Sequence, residues 1–291
     1  MAKMKSFGDY KQDAASWITL ASGEYYPDIL PEARELYKPV LIMFGQLLKT
    51  SESSEALFRQ ICDISEGWMR VQLARVFRKY VSPETPVEML KKKTSVELIC
   101  RNFGKKFRRI QEVQRKFASR PIPDEALCAV LWEYKDRGKK GYDLTERLFG
   151  ILRSQFPTLI LKGPERAGKD ILMGAVFDGY PNPKRPVDFA LYEKNNTIPL
   201  AIGLARYDSD RGGAQEDDRT GGYFNCANEI LSFTRRRGYP TKVVFVNDGP
   251  GLLLGSMWDD YQRLEKSGKG KVIVVTLRMV ADRITLEWFR Q

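Results

Sequence analysis

Acidic residues are concentrated where a predicted β-hairpin ends. Asp188 lies in the alternating run Pro186–Leu191, which predicts a strand, and the apolar run Leu200–Ala205 after the turn "EKNNT" predicts its partner. This second strand leads towards Asp208 and Asp210. Since alternate residues of an extended segment point to the same side, these two carboxylates would lie together, as paired oxygen ligands of a metal ion require.

The segment after the hairpin, "YDSDRGGAQEDDRTGGY", combines charges with glycines. Arg211 and Arg219 could reach phosphates or guanine edges, and the glycines would let the backbone come close to a ligand. The same arginines could pair with the acids around them, and the whole segment could be a solvated connection. The sequence leaves these interpretations open.

The absence of histidine and the spacing of the cysteines exclude several kinds of catalytic and metal site. The chain has no histidine, which rules out Ser-His-Asp triads, Cys-His pairs, HNH-type sites and HExxH zinc sites. Its four cysteines form no CxxC pair, so neither a disulfide framework nor a zinc knuckle is predicted, and we expect reduced thiols in a cytoplasm. No apolar run approaches the ~20 residues of a membrane span, which predicts a soluble protein.

The chain is basic: 48 Lys and Arg face 37 Asp and Glu, a formal charge of +11. A polyanion is therefore the first partner to consider, and a solvated basic surface is the alternative. The densest basic tract, Lys91–Arg120, is predicted to be helical, with Phe103 and Phe107 four residues apart on one apolar face. A core-facing helix is favoured. A helix along a phosphate backbone is the alternative, with DNA contacts from Lys105, Lys106, Arg108 and Arg109.

The helical and strand-like patterns divide the chain in two. Residues 1–125 have helix periodicity, "SRPIPDE" at 119–125 marks a boundary, and residues 126–291 mix helices with strands. The predicted strands of this second part are Thr158–Leu161, Ile171–Phe177, Val187–Tyr192, Pro199–Tyr207, "KVVFVND" and "KVIVVTL". We expect an α/β fold with a mixed sheet flanked by helices, a helix over Tyr223–Arg237 and "KVIVVTL" as an interior strand.

Two glycine-containing stretches are predicted to be turns. "GPERAGKD" at 163–170 resembles a phosphate-binding loop, but Asp170 stands where a hydroxyl should hold magnesium, and the residues that follow favour a strand over a helix. A polar turn between strands is the favoured interpretation, and a nucleoside triphosphate site is the alternative. After "KVVFVND", Gly249 and Gly251 are expected to supply positive φ angles, and Trp258 to be a packing residue.

Residues 126–250 resemble type II restriction endonucleases of the PD-(D/E)XK nuclease superfamily. The resemblance rests on a helix with a carboxylate (Gly141–Glu146), the strand with Pro186-x-Asp188, a second strand ending in a basic residue, and a helix and strand after them. It implies a restriction-endonuclease-like sheet core and Mg²⁺-dependent hydrolysis of double-stranded DNA at a specific site. It also implies a homodimer, because palindromic sites match two-fold symmetry.

The resemblance assigns Asp188 as the first acid, and the second acid departs from the pattern. Gly203-Leu204-Ala205 stands where the superfamily has an acid, any residue and a lysine, and Arg206 follows. Arginine supplies charge but cannot act as a general base, because its pKa is too high. The candidates for the missing acid are Asp208 and Asp210, which we favour as metal ligands with Asp188, then Glu146 and Glu165. The alternative is a non-catalytic nucleic-acid-binding protein that retains a nuclease-like fold.

Overall fold

The chain divides into two compact units. The computed structural model describes residues 5–21, 24–135, 139–164, 170–208 and 214–291, without the side chains of 139–142 and 214–220. One unit is Gly23–Arg137, and the other combines Met1–Ser22 with Gly138–Gln291. The expected boundary at residue 125 therefore differs from the observed division in two respects. The helix after residue 125 belongs to the first unit, and the N-terminal segment belongs to the second.

Helices account for most of the regular structure. The α-helices of the described residues are α1 (Ala14–Trp17), α2 (Leu30–Thr50), α3 (Ser54–Asp63), α4 (Gly67–Tyr80), α5 (Val87–Leu90), α6 (Val96–Phe103), α7 (Ile110–Ala118), α8 (Glu125–Trp132), α9 (Lys139–Gln155), α10 (Met173–Val176), α11 (Ala214–Arg237), α12 (Met257–Ser267), α13 (Val280–Arg283) and α14 (Leu286–Arg290). Short 3₁₀ turns cover Phe7–Asp13, Lys93–Ser95, Gly104–Lys106, Pro250–Leu253 and Leu277–Met279. Helices α2 to α8 form the first unit.

Aromatic side chains form the core of this helical unit. The rings of Phe58 and Phe77 lie 5.2 Å apart, and Phe107 contacts Phe77 at 5.3 Å. Phe117 contacts Phe44, also at 5.3 Å. Such ring pairs add to the stability gained by burying their area. Two phenylalanines of the basic tract, Phe107 and Phe117, are therefore core residues, as the favoured interpretation of this tract had it.

The basic tract is not one helix, so the predicted pairing of Phe103 with Phe107 on one helix face is wrong. Helix α6 ends at Phe103, a 3₁₀ turn follows, and α7 begins only at Ile110. Gly104 is buried against the Glu55 side chain, where an added Cβ would lie 2.9 Å from Oε1. This close approach accompanies the break, after which Phe107 turns into the core while Phe103 stays half-buried.

The second unit contains a mixed sheet. Its strands are β1 (Ile160–Lys162), β2 (Ile171–Leu172), β3 (Pro186–Val187), β4 (Phe189–Tyr192), β5 (Ala201–Tyr207), β6 (Lys242–Asp248) and β7 (Val272–Val275). Among the described residues, five strands pair in the order β1-β4-β5-β6-β7, while β2 and β3 pair separately. Strands β1, β4 and β5 are antiparallel, and β5, β6 and β7 are parallel, with α11 and α12 as the crossovers. The expected mixed α/β architecture is confirmed.

Helices cover both faces of this sheet. Phe149 of α9 contacts Phe189, whose register partner is Gly203, so α9 lies on the face of Gly203. Gly203 pairs with Val244, and the next residue, Phe245, contacts Tyr223 of α11 at 4.9 Å. Because successive residues of a strand point to opposite faces, α11 covers the other face.

Three details of the predicted elements are corrected. The strand predicted for Ile171–Phe177 stops at Leu172, because the chain turns at Gly174, whose N–H donates to Pro183 O at 2.9 Å. Helix α11 begins at Ala214 instead of Tyr223. Strand β7 lies at an edge of the sheet among the described residues, although all four of its residues are buried.

A buried ion pair covers the edge of β7. Arg283 is only 1% exposed, and its Nη2 donates to both carboxylate oxygens of Glu265 at 2.9 Å. Glu265 accepts the N–H of Val274 at 2.9 Å, and Arg283 donates to the Val274 carbonyl. Glu265 also accepts the N–H of Phe7 at 2.8 Å. The pair thus satisfies edge groups that would otherwise be unpaired and ties the N-terminal segment to the sheet.

Loss of Arg283 should strongly destabilise the α/β unit. We expect Arg283→Ala to lower the free energy of unfolding by about 3–5 kcal/mol, because Glu265 would keep a buried charge without its partner. Arg263 provides the control, since its side chain is 67% exposed although it pairs with Asp260. Arg263→Ala should cost less than about 1 kcal/mol. Urea unfolding followed by circular dichroism measures both, and equal effects would contradict the role given to Arg283.

Candidate functional site

Asp188 occupies a β-bulge between β3 and β4. Its N–H donates to Gly203 O at 3.0 Å, while the next residue, Phe189, is the register partner of Gly203. Two residues on one strand thus face one residue on β5, an arrangement that bends the strand and redirects a side chain. The Asp188 carboxylate replaces a backbone acceptor where the strand pairing is interrupted, because its Oδ2 accepts the N–H of Ala205 at 2.7 Å.

The surroundings of Asp188 disfavour its charge. Burial raises the pKa of its carboxyl, the hydrogen bond from Ala205 acts in the opposite direction, and the negative charge of Asp170 raises it further. Within the described part of the chain, the Ala205 N–H is the only hydrogen-bond donor to this carboxylate. A half-buried carboxylate with one hydrogen bond and an acidic neighbour is typical of a site that a cation would complete.

The ends of "GPERAGKD" lie near Asp188. Gly163 follows β1, and a Cβ at this position would lie 2.5 Å from Asp188 O, while Asp170 acts on the Asp188 carboxyl from the other end. Residues 165–169, which include Glu165, lie outside the described residues. In the sequence, Asp170 counts only against a phosphate loop, and nothing indicates that it is a neighbour of Asp188. Its spatial proximity leaves no local trace in the sequence.

Arg206 lies beside two side chains at the end of β5. Its Nε donates to Asp208 Oδ1 at 3.0 Å, and its guanidinium is close enough to Tyr223 of α11 for the two groups to interact electrostatically. Burial raises the pKa of Tyr223 to about 12, so its hydroxyl remains protonated at neutral pH. The negative charges of Asp208 and Asp188 also raise the pKa of Tyr223. These four side chains therefore share one electrostatic environment, and no sequence motif indicates that Tyr223 belongs to it.

Asp208 is fixed through its backbone as well as its side chain. Its N–H donates to Asp248 O at 2.8 Å, and its carbonyl accepts the N–H of Gly251 at 2.9 Å. Gly249 has φ 105°, as expected. Gly251 does not have the predicted positive φ; it is required because a Cβ there would come within 2.9 Å of the Asp208 Cβ. The turn after β6 thus packs directly on Asp208.

Both carboxylate oxygens of Asp248 accept structural hydrogen bonds. Its Oδ1 accepts the N–H groups of Thr19 at 2.6 Å and Gly249 at 2.7 Å. Its Oδ2 accepts the Leu277 N–H at 3.0 Å and the Thr19 hydroxyl. The same segment clamps Tyr207, whose hydroxyl accepts the Ala21 N–H at 2.7 Å. This acid fixes the edge of the sheet next to Arg206 and Asp208.

The other predicted acids and arginines are not brought into this cluster by a described contact. Glu146 lies exposed on α9. Asp210 and Arg211 lie outside the described residues, and Arg219 belongs to α11 but its side chain is outside them as well. Trp258 is a packing residue, as expected: it stacks on Phe7 with ring centroids 4.4 Å apart.

The predicted DNA-contacting residues of the helical unit lie on or beside the 3₁₀ turn. Lys105, Lys106 and Arg109 are exposed. Arg108 is half-buried and forms an ion pair with Glu112 at 3.6 Å. Three of the four residues are thus accessible to a polyanion.

Gly203 cannot hold the acid that the superfamily places on this strand. A Cβ at Gly203 would overlap the ring of Phe189, its cross-strand partner. Gly203 also faces α9, whereas Arg206 contacts Tyr223 on the α11 face. Packing therefore excludes a side chain at this position.

Asp170 is the acidic side chain whose charge acts on Asp188. Among the described residues, no group of three or more His, Cys, Asp and Glu side chains could hold a metal ion. Asp188 and Asp170 are close enough to interact through their charges, and proteins often bind Mg²⁺ through one or two carboxylates, with water and substrate phosphate as the remaining ligands. Asp208 is already engaged by Arg206 through one oxygen.

Comparisons with protein-family models, curated proteins and solved structures found no match to the chain. None of the helices within the described ranges is both long and apolar enough to cross a membrane.

The contact of Gly203 with Phe189 predicts opposite effects for two glycine substitutions. Gly203→Ala should lower the free energy of unfolding by about 1–3 kcal/mol, because the methyl group overfills the core. Gly150→Ala should raise it by roughly 0.5–1 kcal/mol, since Gly150 lies inside α9 and its Cβ would meet nothing within 4 Å. Chemical denaturation measures both, and a neutral Gly203→Ala would show that Phe189 does not restrict this position.

Asp188→Asn should stabilise the unliganded protein at neutral pH. The pKa of Asp188 is raised in the folded state, so its ionised form opposes folding above that pKa. The gain in melting temperature should be largest near pH 7 and vanish as the pH falls towards about 3.9, where the carboxyl is protonated in both states.

Asp124→Asn is the control with the opposite sign. A hydrogen bond from Arg120 lowers the pKa of Asp124, so this carboxylate stabilises the folded state at neutral pH and loses that effect as the pH falls through its folded pKa. Its replacement should lower the melting temperature at pH 7. Calorimetry between pH 3.5 and 7.5 tests both, and a destabilised Asp188→Asn at pH 7 would contradict the analysis of Asp188.

Proposed function

We propose that the α/β unit is a Mg²⁺-dependent endonuclease that hydrolyses double-stranded DNA at a specific site, as a type II restriction enzyme does. The observation that carries this proposal is the carboxylate of Asp188. It is half-buried at a bulge, accepts one described hydrogen bond and lies near Asp170. A divalent cation would relieve the unfavourable charge of Asp188, which is the physical reason to expect a metal here.

Each side chain has a distinct role in this proposal. Asp188 and Asp170 would hold Mg²⁺, which activates water and neutralises charge on the phosphate when bound. Arg206 would stabilise the charge of the phosphodiester, with its guanidinium hydrogen-bonded to Asp208 and close to Tyr223. Asp208 is thus better suited to position Arg206 than to bind metal through both oxygens. Asp210 and Glu146 are still proposed as further acids of this site.

The charge of the chain supports a DNA substrate. Its formal charge of +11 favours a polyanion, and the exposed Lys105, Lys106 and Arg109 would contact the phosphate backbone. Arg211 and Arg219 are proposed as further contacts. A homodimer would match a palindromic site. The four cysteines are free thiols, which suits the cytoplasm proposed for such an enzyme.

One observation favours the alternative of a non-catalytic DNA-binding protein. Strand β5, Ala201–Tyr207, carries no carboxylate, and packing excludes one at Gly203. On this alternative the protein would bind DNA through Arg206 and the basic helical unit without cutting it.

DNA cleavage distinguishes the two functions. Purified protein should cut unmethylated phage and plasmid DNA into discrete fragments with Mg²⁺ and leave it intact with EDTA. Asp188→Ala and Asp170→Asn should each slow cleavage by roughly 10²-fold or more, because each removes a charged group that holds the metal. Retained cleavage in Asp188→Ala would overturn the assigned site.

The cleavage assay is accompanied by a control variant at another acid and by a measurement of duplex binding. Asp259→Asn is the control, since this acid lies on α12 with a side chain that is 46% exposed and pairs with Lys11. It should cut like the unmodified chain. Duplex binding is measured by fluorescence anisotropy with Ca²⁺ in place of Mg²⁺. Intact DNA under every condition, with duplex binding retained, would favour the non-catalytic alternative.

A further inference from the structure

A buried amide without a partner lies beside Arg206. Asn247 is 1% exposed, and neither its Oδ1 nor its Nδ2 has a hydrogen-bond partner in the described structure. Most buried polar side-chain atoms in proteins are paired, and a buried group left unpaired costs about 1–3 kcal/mol. The structural hydrogen bonds at this edge go to Asp248, the next residue.

Asn247 and Arg206 point to the same face of the sheet. They are register partners in the parallel pair of β5 and β6, so their side chains are neighbours on one face. Phe245, two residues before Asn247, contacts Tyr223 of α11, and Tyr223 interacts electrostatically with Arg206. The α11 face at the carboxyl ends of these two strands therefore presents a guanidinium, an amide and a phenol together.

The chemistry of this group suits an oxygen anion. Arg206 uses one of its five N–H groups on Asp208, and its side chain is 39% exposed, so the group is reached from solvent at Arg206. The Asn247 amide can donate two further N–H groups. Because Asp208 offsets the charge of Arg206, recognition at this point would depend on directed hydrogen bonds more than on net charge.

We propose that Arg206 and Asn247 form a subsite for one phosphate of the DNA strand, with Tyr223 as a positioning residue for Arg206. This inference rests on the proposed function, and it names a substrate contact that no motif indicated. Arg206 binds the phosphate from the solvent side, and the Asn247 amide donates to the same phosphate from beneath. The unpaired amide of the unliganded protein is then satisfied by the substrate.

The test compares stability with binding in Asn247→Leu and Asn247→Ala. Without ligand, both variants should melt at or above the temperature of the unmodified chain, because no hydrogen bond is lost. Both should bind a short duplex at least about tenfold more weakly with Ca²⁺, as expected for a lost hydrogen bond to a charged group. The salt dependence of binding should not change, since a neutral amide releases no counterions.

Thr276→Val is the matched control. Thr276 is buried just after β7, and its hydroxyl donates to Trp17 O at 2.6 Å. It has the partner that Asn247 lacks, so its replacement should lower the melting temperature and leave duplex binding unchanged. A melting temperature lowered in both Asn247 variants would assign Asn247 a structural role and overturn the proposal.

The outcomes separate the subsite from the nuclease. If the unmodified chain cuts DNA and the Asn247 variants bind and cut equally well, the subsite is wrong and the proposed function stands. If the unmodified chain binds duplex without cutting it, and both variants lose that binding, the subsite stands and the nuclease is wrong. Inorganic phosphate is the second probe. Stabilisation by phosphate that is lost in the variants supports the subsite, whereas a chain that binds neither phosphate nor duplex excludes it.

Discussion

The carboxylate of Asp248 is the constraint on which the edge of the sheet depends. It accepts hydrogen bonds from the N-terminal segment, from the turn after β6 and from the 3₁₀ turn after β7. Three segments that are distant in the sequence are therefore held at one point. The positions of Asp208 and Gly251 follow from it, because the turn that Asp248 closes packs on Asp208. Arg206 in turn takes its orientation from Asp208.

The acids of the α/β unit differ in how many hydrogen bonds they accept, and this distinguishes acids with a structural role from the acid that we propose for the site. Asp248 and Glu265 each accept several donors, so both carboxylates are compensated for burial. Asp188 is partly buried too, but only one described N–H compensates it, and Asp170 adds a repulsive charge. An acid that folding leaves in an unfavourable state is a candidate for a site that a ligand completes. The contrast points to Asp188 without any comparison with other proteins.

Periodic patterns predicted most of the fold, while contacts between distant residues decided the site. The hairpin of β4 and β5 and the helical first part follow from local patterns, and both are present. The edge position of β7 was missed, because Glu265 and Arg283 bury that edge and make the strand look interior. Asp170 and Tyr223 were missed for the same reason: their proximity to Asp188 and Arg206 is created only by the sheet and by α11.

Gly203 shows how packing limits the chemistry that this strand can carry. Phe189 fills the space above Gly203, so any acid there would have to displace a core ring. The opposite face of the same strand is covered by α11, and the charge it presents is that of Arg206. On the proposed function, a carboxylate partner for Asp188 would therefore come from outside this strand. Asp170, in the segment that precedes β2, acts on Asp188 through its charge, so the metal site that we propose does not require an acid on β5.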